Sequence, residues 1–167
     1  MKANNQPPEW PFIGFVVWLG ITFGAALLAS AASITAETFY LQLQRPPWAP
    51  PTWLFGPVWT VLYLAMGVAA WLVWRTAGLR AAWLALVLYL VQLAINVLWS
   101  WVFFVWHQGG AAFAVILLLL GLLLATLVAF WRIQRVAGAL FIPYAAWVVF
   151  AVLLNFAVWR MNPVLLS

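Results

Sequence analysis

Amide and hydroxyl side chains recur at helical spacing inside one long apolar run. Gln92, Asn96 and Ser100 are four residues apart, which places them on one face of a helix, and Trp99 lies beside them. Such groups are costly in apolar surroundings unless they are paired or used. They donate and accept hydrogen bonds but do not titrate near neutral pH. This stripe therefore predicts ligand binding or helix–helix bonding, not acid–base catalysis.

Two further apolar runs carry aromatic and amide residues on one helical face. They are Trp59 and Tyr63 in one run, and Tyr144, Trp147, Ala151 and Asn155 in the other. Facing inward, the three stripes would line an aromatic cavity with few polar groups, which suits a flat hydrophobic ligand. The alternative is that the amides only join helices, at about 1 kcal/mol or less each. That alternative is favoured for Gln92 or Asn155 alone. Trp59, Asn96 and Trp147 together favour a cavity, because bulky indoles hold helices apart.

Patterns for conventional catalysis and metal binding are absent from the sequence. Its only acidic residues, Glu9 and Glu37, lie outside the apolar runs, and its single histidine, His107, lies at a predicted turn. There is no cysteine, so no disulfide is predicted, and His107 has no second histidine or cysteine nearby with which to hold a metal or haem iron. No Ser-His-Asp, P-loop or GxGxxG pattern occurs. Acid–base catalysis and proton pumping are therefore not expected.

The composition indicates a membrane protein. Of 167 residues, 69% are apolar and 5% are charged, whereas soluble domains carry about 25% charged residues. The length fits five spans of about 20 residues. The net charge of +5 comes from basic residues scattered at the ends of apolar runs, which is typical of membrane topology and not of nucleic-acid binding. We therefore predict a single all-α domain over residues 1–167, a bundle of five transmembrane helices in a lipid bilayer.

The predicted spans are bounded by proline, glycine and basic residues. They cover residues 10–32, 54–74, 81–106, 111–131 and 139–159, with a kink expected at Pro143. Residues 33–53 form the one long polar connection, in which residues 37–44 predict a short helix. The prolines of this loop make it stiff, so that with Trp48 and Trp53 it can serve as a lid.

Two alternatives concern the first span. The small residues 29–31 resemble a signal-peptide cleavage site, but the apolar run exceeds the 7–15 residues usual for such peptides. Gly20 and Gly24 form a small-xxx-small pair, which permits close helix approach within the chain or in a dimer.

Basic residues are distributed unequally between the two sides of the predicted bundle. One side carries Lys2, Arg75, Arg80, Arg132 and Arg135, and the other carries Arg45 and Arg160. The positive-inside rule therefore predicts a cytoplasmic N-terminus, with the 33–53 loop and the C-terminus facing outward.

Three segments carry a resemblance to a known family. They are residues 45–67 (RPPWAPPTWLFGPVWTVLYLAMG), residues 92–100 (QLAINVLWS) and residues 143–162, which contain PYAAW and LNFAVWRMN. In this order they resemble the first loop with the second span, the third span and the fifth span of the TspO/MBR family. This family comprises the tryptophan-rich sensory proteins and translocator proteins.

The resemblance implies a five-helix bundle, often a homodimer, that binds porphyrins, haem, sterols and benzodiazepine-type ligands beneath the first loop. The matching ligand-binding positions are Trp48, Trp59, Asn96, Trp99, Ser100, Trp147 and Ala151; Tyr63 joins them from helical spacing. Porphyrin or haem would be a ligand, and no cofactor or metal is expected. Some bacterial members are reported to degrade protoporphyrin IX in light, with tryptophan at the positions of Trp59 and Trp147, so the resemblance permits that chemistry.

One residue departs from the family pattern. Phe156 stands where the sterol motif has tyrosine before Arg160, so sterol binding is expected to be weaker than porphyrin binding. The leading hypothesis is a tetrapyrrole sensor or transporter in a bacterial inner membrane, with Asn96 as a polar contact and Arg45 near a propionate. The alternatives are a light-dependent porphyrin-degrading enzyme and a regulatory membrane interaction protein.

Overall fold

The computed structural model describes residues 11–34 and 36–167, and this part of the chain folds into seven helices. They are α1 (Pro11–Ala32), α2 (Ala36–Gln42), α3 (Thr52–Ala81), α4 (Trp83–Phe104), α5 (Gly109–Ile133), α6 (Arg135–Leu140) and α7 (Ile142–Met161). Five stretches are long and apolar enough to cross a membrane, the fifth being α6 with α7. No strand occurs among the described residues. The predicted all-α bundle of five transmembrane helices is confirmed.

Close packing in the bundle relies on small residues. Helix α1 lies along α3 and α4, and α5 lies along α4 and α7. A Cβ added to Gly67 would lie 2.7 Å from Leu19 Cδ2, and one added to Gly14 would overlap the Trp74 ring. At Gly20 and Gly24 an added Cβ would meet nothing within 4 Å. The tight contact between α1 and α3 therefore uses Gly14 and Gly67, and the predicted Gly20/Gly24 pair makes no such contact with the described residues of its own chain.

A break in the helix separates the second and third spans. Helix α3 is assigned to Thr52–Ala81, but Gly78 within it is non-helical, with φ of 70° and ψ of 173°, so two helical segments meet there at a kink. Glycine adopts this conformation without a steric penalty, because it has no Cβ. The Ala82 N–H donates to the Gly78 carbonyl at 3.2 Å. The chain thus turns at Gly78, within residues 75–80, which lie between the second and third predicted spans.

The fifth span is interrupted, as expected near Pro143, but the break precedes the proline. Helix α6 ends at Leu140, the Phe141 N–H donates to the carbonyl of Gly138, three residues back, at 3.0 Å, and α7 begins with Pro143 in its first turn. Proline has no N–H, but in the first turn of a helix this group has no intrahelical acceptor. In a continuous helix, Pro143 would have left one helical hydrogen bond unmade.

The connection between α1 and α3 is anchored to the rest of the bundle. Its predicted short helix is present as α2. The Gln44 N–H donates to Asn162 Oδ1 at 2.8 Å, and Asn162 Nδ2 donates to the Gln44 carbonyl at 2.8 Å. The Phe39 ring stacks on His107, with centroids 4.0 Å apart. The loop is therefore fastened to the α4–α5 turn and to the end of α7.

Candidate functional site

A cavity of about 610 Å³ lies among α1, α3, α4 and α7, with α2 at one end. Seven of the eight predicted ligand-binding residues line it: Trp59, Tyr63, Asn96, Trp99, Ser100, Trp147 and Ala151. Helix α5 contributes no lining residue. The three stripes read from helical spacing thus converge on one space.

The eighth predicted residue, Trp48, lies on the loop and does not line the cavity. Its side chain is half exposed and meets the Phe150 ring edge-on, with centroids 5.8 Å apart. The Phe150 ring in turn packs against Trp147, with centroids 5.5 Å apart. Trp48 is thus one ring removed from a lining residue, and direct ligand contact by Trp48 stays a prediction.

A buried hydrogen-bond network closes the deep end of the cavity. The Tyr63 hydroxyl donates to Asn96 Oδ1 at 3.0 Å, and Asn96 Nδ2 donates to the Tyr144 hydroxyl at 2.7 Å. Tyr144 then donates to Gln92 Oε1 at 3.1 Å. The network ties α3, α4 and α7 together, as the helix-joining interpretation of Gln92 requires. Both polar atoms of the Asn96 side chain are engaged, so its visible role is to hold the two tyrosines.

A second set of polar contacts fixes Trp99. Its indole N–H donates to Asn155 Oδ1 at 3.0 Å, and Asn155 Nδ2 donates to the Gly109 carbonyl at 3.3 Å. The Trp99 ring stacks on Phe103 with centroids 5.6 Å apart. The Ser100 hydroxyl bonds back to its own helix at 3.5 Å. The side chains of Trp99, Asn155 and Ser100 therefore shape the cavity wall, and each already bonds to a protein group.

Trp59 and Trp147 differ from Trp99 in their hydrogen bonding. Within residues 11–34 and 36–167, no hydrogen bond engages either indole N–H. Between ring centroids, Trp59 lies 5.7 Å from Tyr63 and 6.1 Å from Tyr144. The centroids of Trp147 and Phe55 are 6.0 Å apart. Two indoles therefore line the same cavity, and neither N–H is used by a described residue. Such groups can stack on a flat aromatic ligand and donate to its polar atoms.

Sequence reasoning missed lining residues on α1, on α2 and at the start of α3. They include Phe23 and Ala26 of α1, Tyr40 of α2 and Phe55 of α3. Phe55 was detectable, because Phe55, Trp59 and Tyr63 repeat every four residues and extend the second stripe by one turn. The α1 residues are ordinary apolar side chains, and nothing in their type or spacing distinguishes them from lipid-facing neighbours.

The cavity reaches the outer surface between α1 and α3. Leu27 and Trp53 line it and are 72% and 70% exposed. Ser30, Gly56 and Thr60 also line it and are exposed. All five belong to spans long and apolar enough for a membrane, so this opening faces lipid.

Among the described residues, no group of three or more His, Cys, Asp or Glu side chains could hold a metal ion. His107 packs on Phe39 at the α4–α5 turn, away from the cavity lining. The donors within the cavity are indole, hydroxyl and amide groups, which bind ligands by hydrogen bonding and stacking.

A family model and several known proteins are similar in sequence to this chain over most of its length. The model of the TspO/MBR family matches residues 12–160. The human translocator protein is 39% identical over 158 residues, covering 93% of this chain and 92% of that protein. The tryptophan-rich sensory protein of Cereibacter sphaeroides is 40% identical, covering 86% of this chain and 91% of that protein. Protein CrtK of Rhodobacter capsulatus is 39% identical, with 81% and 85% covered. The chain, an integral membrane protein with five transmembrane helices, belongs to the TspO/MBR family.

Proposed function

We propose that this protein is a membrane receptor that binds porphyrins, such as protoporphyrin IX or haem, as a sensor or transporter. The observation that carries the proposal is the pair of indoles, Trp59 and Trp147, which line one cavity and whose N–H groups make no hydrogen bond to a described residue. The cavity volume of about 610 Å³ lies within the range of about 300–1,000 Å³ typical of small-molecule sites. Family relatives named as a sensory protein and as a translocator are consistent with either role.

The hydrogen-bond inventory of the cavity also supports a flat, hydrophobic ligand. Tyr63, Asn96 and Trp99 are paired with protein groups, so they offer little to a highly polar solute. The remaining wall is largely aromatic and aliphatic, and it includes the two indoles whose N–H groups no described residue engages. A macrocycle with a broad π-surface and few polar atoms matches these features.

Quenching of intrinsic tryptophan fluorescence by protoporphyrin IX tests the proposal in purified, detergent-solubilised protein. We expect saturable quenching, with Kd raised about fivefold in Trp147→Phe, because part of the stacking surface and one donor are lost. Trp83→Phe is the matched control, since Trp83 is exposed at the start of α4 and does not line the cavity. Linear quenching that is equal in all three proteins would mean that porphyrin partitions into the micelle, and would favour a regulatory interaction protein instead.

A light-dependent porphyrin-degrading activity is a second candidate. Trp59 and Trp147, the residues for which the resemblance permits this chemistry, line the same cavity. Illumination of the saturated complex under oxygen tests it. Loss of porphyrin absorbance that requires light, oxygen and both indoles would support an enzyme, whereas equal loss in Trp59→Phe/Trp147→Phe would reflect ordinary photobleaching.

We also propose that the protein resides in a bacterial inner membrane with its N-terminus in the cytoplasm. Arg75, Arg80, Arg132 and Arg135 lie near the C-terminal ends of α3 and α5 and the start of α6, at one end of the bundle, and all four are exposed. Arg45 and Arg160 lie at the opposite end. The excess of positive charge favours the first end for the cytoplasm. A C-terminal reporter that matures only in the cytoplasm is expected to stay inactive, and a fluorescent fusion would contradict this orientation.

A further inference from the structure

Tyr40 on α2 has a polar atom without a partner. The side chain is 6% exposed, and its hydroxyl is the buried side-chain polar atom for which no described residue provides a hydrogen bond. Buried polar groups are nearly always paired, because an unpaired one loses its bonds to water without replacement. The one described side chain that interacts with this hydroxyl is the Arg45 guanidinium, which carries no acceptor, so the hydroxyl still lacks an acceptor for its proton.

The position of Tyr40 suggests where this partner comes from. The residue lines the cavity at its α2 end, and its ring meets Phe55 edge-on with centroids 5.6 Å apart. The Phe55 ring in turn meets the Trp147 ring edge-on, with centroids 6.0 Å apart. Tyr40 and Trp147 thus line the same cavity and share Phe55 as a neighbour.

A positive charge accompanies the hydroxyl. Arg45 Cζ lies 4.9 Å from the centroid of the Tyr40 ring. Arg45 also lines a shallow depression formed by the loop, together with Leu43, Ala49 and three prolines. Tyr40 and Arg45 therefore stand at the boundary between the apolar cavity and the polar outer side of the loop.

The Tyr40 hydroxyl is a donor at neutral pH. Burial raises the pKa of Tyr40, and the Arg45 guanidinium lowers it by less, through its charge and its interaction with the hydroxyl. A protonated hydroxyl beside a guanidinium favours an acceptor that carries negative charge. A carboxylate is such an acceptor.

We infer that Tyr40 and Arg45 form a carboxylate-binding end of the cavity. The hydroxyl donates a hydrogen bond to the carboxylate of an amphiphilic ligand, and the guanidinium stabilises its charge. The apolar ring system of this ligand occupies the space between Trp59 and Trp147. The inference rests on the proposed porphyrin-binding function and assigns the end of the cavity that receives the carboxylates of the ligand.

The experiment compares protoporphyrin IX with its dimethyl ester, which keeps the ring and lacks the two carboxylates. Kd values for both are measured by tryptophan quenching in the wild type, Tyr40→Phe, Arg45→Gln and the double variant. We expect the wild type to prefer the diacid by about tenfold. This preference should fall below about twofold in the double variant, mainly through weaker binding of the diacid.

Two controls separate this site from general effects of charge and stability. Arg75→Gln removes a guanidinium that also lies over an aromatic ring, 5.2 Å from the Trp71 centroid, at the other end of the bundle; the preference should survive there. Tyr40→Phe keeps the ring and removes only the unpaired hydroxyl, so its fluorescence-monitored melting temperature should not fall.

The outcomes distinguish the two proposals. Saturable binding of both compounds with no preference in the wild type, or a preference that persists in the double variant, overturns the carboxylate site and leaves porphyrin binding intact. Non-saturating quenching by both compounds overturns the proposed function, and the carboxylate site with it.

Discussion

At the scale of single residues, Asn96 is the central polar side chain of the bundle. Its amide accepts from Tyr63 and donates to Tyr144, which joins three helices. Asn96→Leu would leave the Tyr63 hydroxyl without its acceptor, while Tyr144 would keep Gln92. We expect this variant to lose about 1–3 kcal/mol of stability, because a buried hydroxyl would be unpaired. The melting temperature in detergent, followed by tryptophan fluorescence, measures the loss.

Ser100→Ala is the comparison for Asn96→Leu, because it removes a hydroxyl whose 3.5 Å bond stays within its own helix. Its melting temperature should stay close to that of the wild type. If the two variants melted alike, the network would not be the main link between the helices. Adding Tyr63→Phe to Asn96→Leu should cost little more, because the hydroxyl left unpaired is then gone.

The residue scale also shows what the sequence can predict about the site. The four-residue spacing of Gln92, Asn96 and Ser100 correctly indicated a buried face, because helical periodicity depends on local geometry alone. The hydrogen-bond partners of Asn96 lie on two other helices, and their identity depends on helix packing. Spacing therefore predicted which residues face inward, but not that Asn96 is occupied by tyrosines.

At the scale of elements, α1 has a close-packed glycine and two open ones. The Trp74 ring occupies the space where a Gly14 side chain would be, whereas this space is open at Gly20 and Gly24. Leucine at Gly20 and Gly24 should therefore leave the fold of the chain intact. If a homodimer forms through this face, the double variant should become monomeric, because the helices could no longer approach closely.

Mass measurement in detergent, together with cross-linking in membranes, checks the dimer prediction. Gly121→Leu on α5 is the matched control, since an added Cβ there also meets nothing within 4 Å. A wild-type dimer that survives leucine at Gly20 and Gly24 would place the interface on another helix. A dimer lost equally in Gly121→Leu would show a general effect of added bulk.

Local sequence predicted the spans and the turn between the second and third of them. The apolar runs predicted all five spans, since a span must satisfy its backbone within itself. The turn at Gly78 was predictable as well, because basic residues and glycine usually mark a helix end.

At the scale of the whole molecule, the anchored loop and the lateral opening together indicate the route of the ligand. The loop is held by paired hydrogen bonds between Gln44 and Asn162 and by the stacked Phe39 and His107 rings. The opening between α1 and α3 instead exposes lining residues to lipid. The loop, predicted from its prolines to be a stiff lid, is therefore described as a fixed roof. A hydrophobic ligand is also concentrated in the bilayer, so we expect entry between α1 and α3.

The absence of cysteine from the sequence allows a direct test of this route. In the double variant Ser30→Cys/Gly56→Cys, both thiols lie at the exposed margin of the cavity, one on α1 and one on α3. Joining them with a short bifunctional thiol reagent should slow protoporphyrin IX association at least about tenfold, because separation of the helices is blocked. Trp48→Cys/Phe150→Cys, which joins the loop to α7 where these rings already touch, should leave the association rate within about twofold of the unlinked protein. Slow association only with the loop joined to α7 would instead mean that the ligand enters from the aqueous side, and that the roof opens.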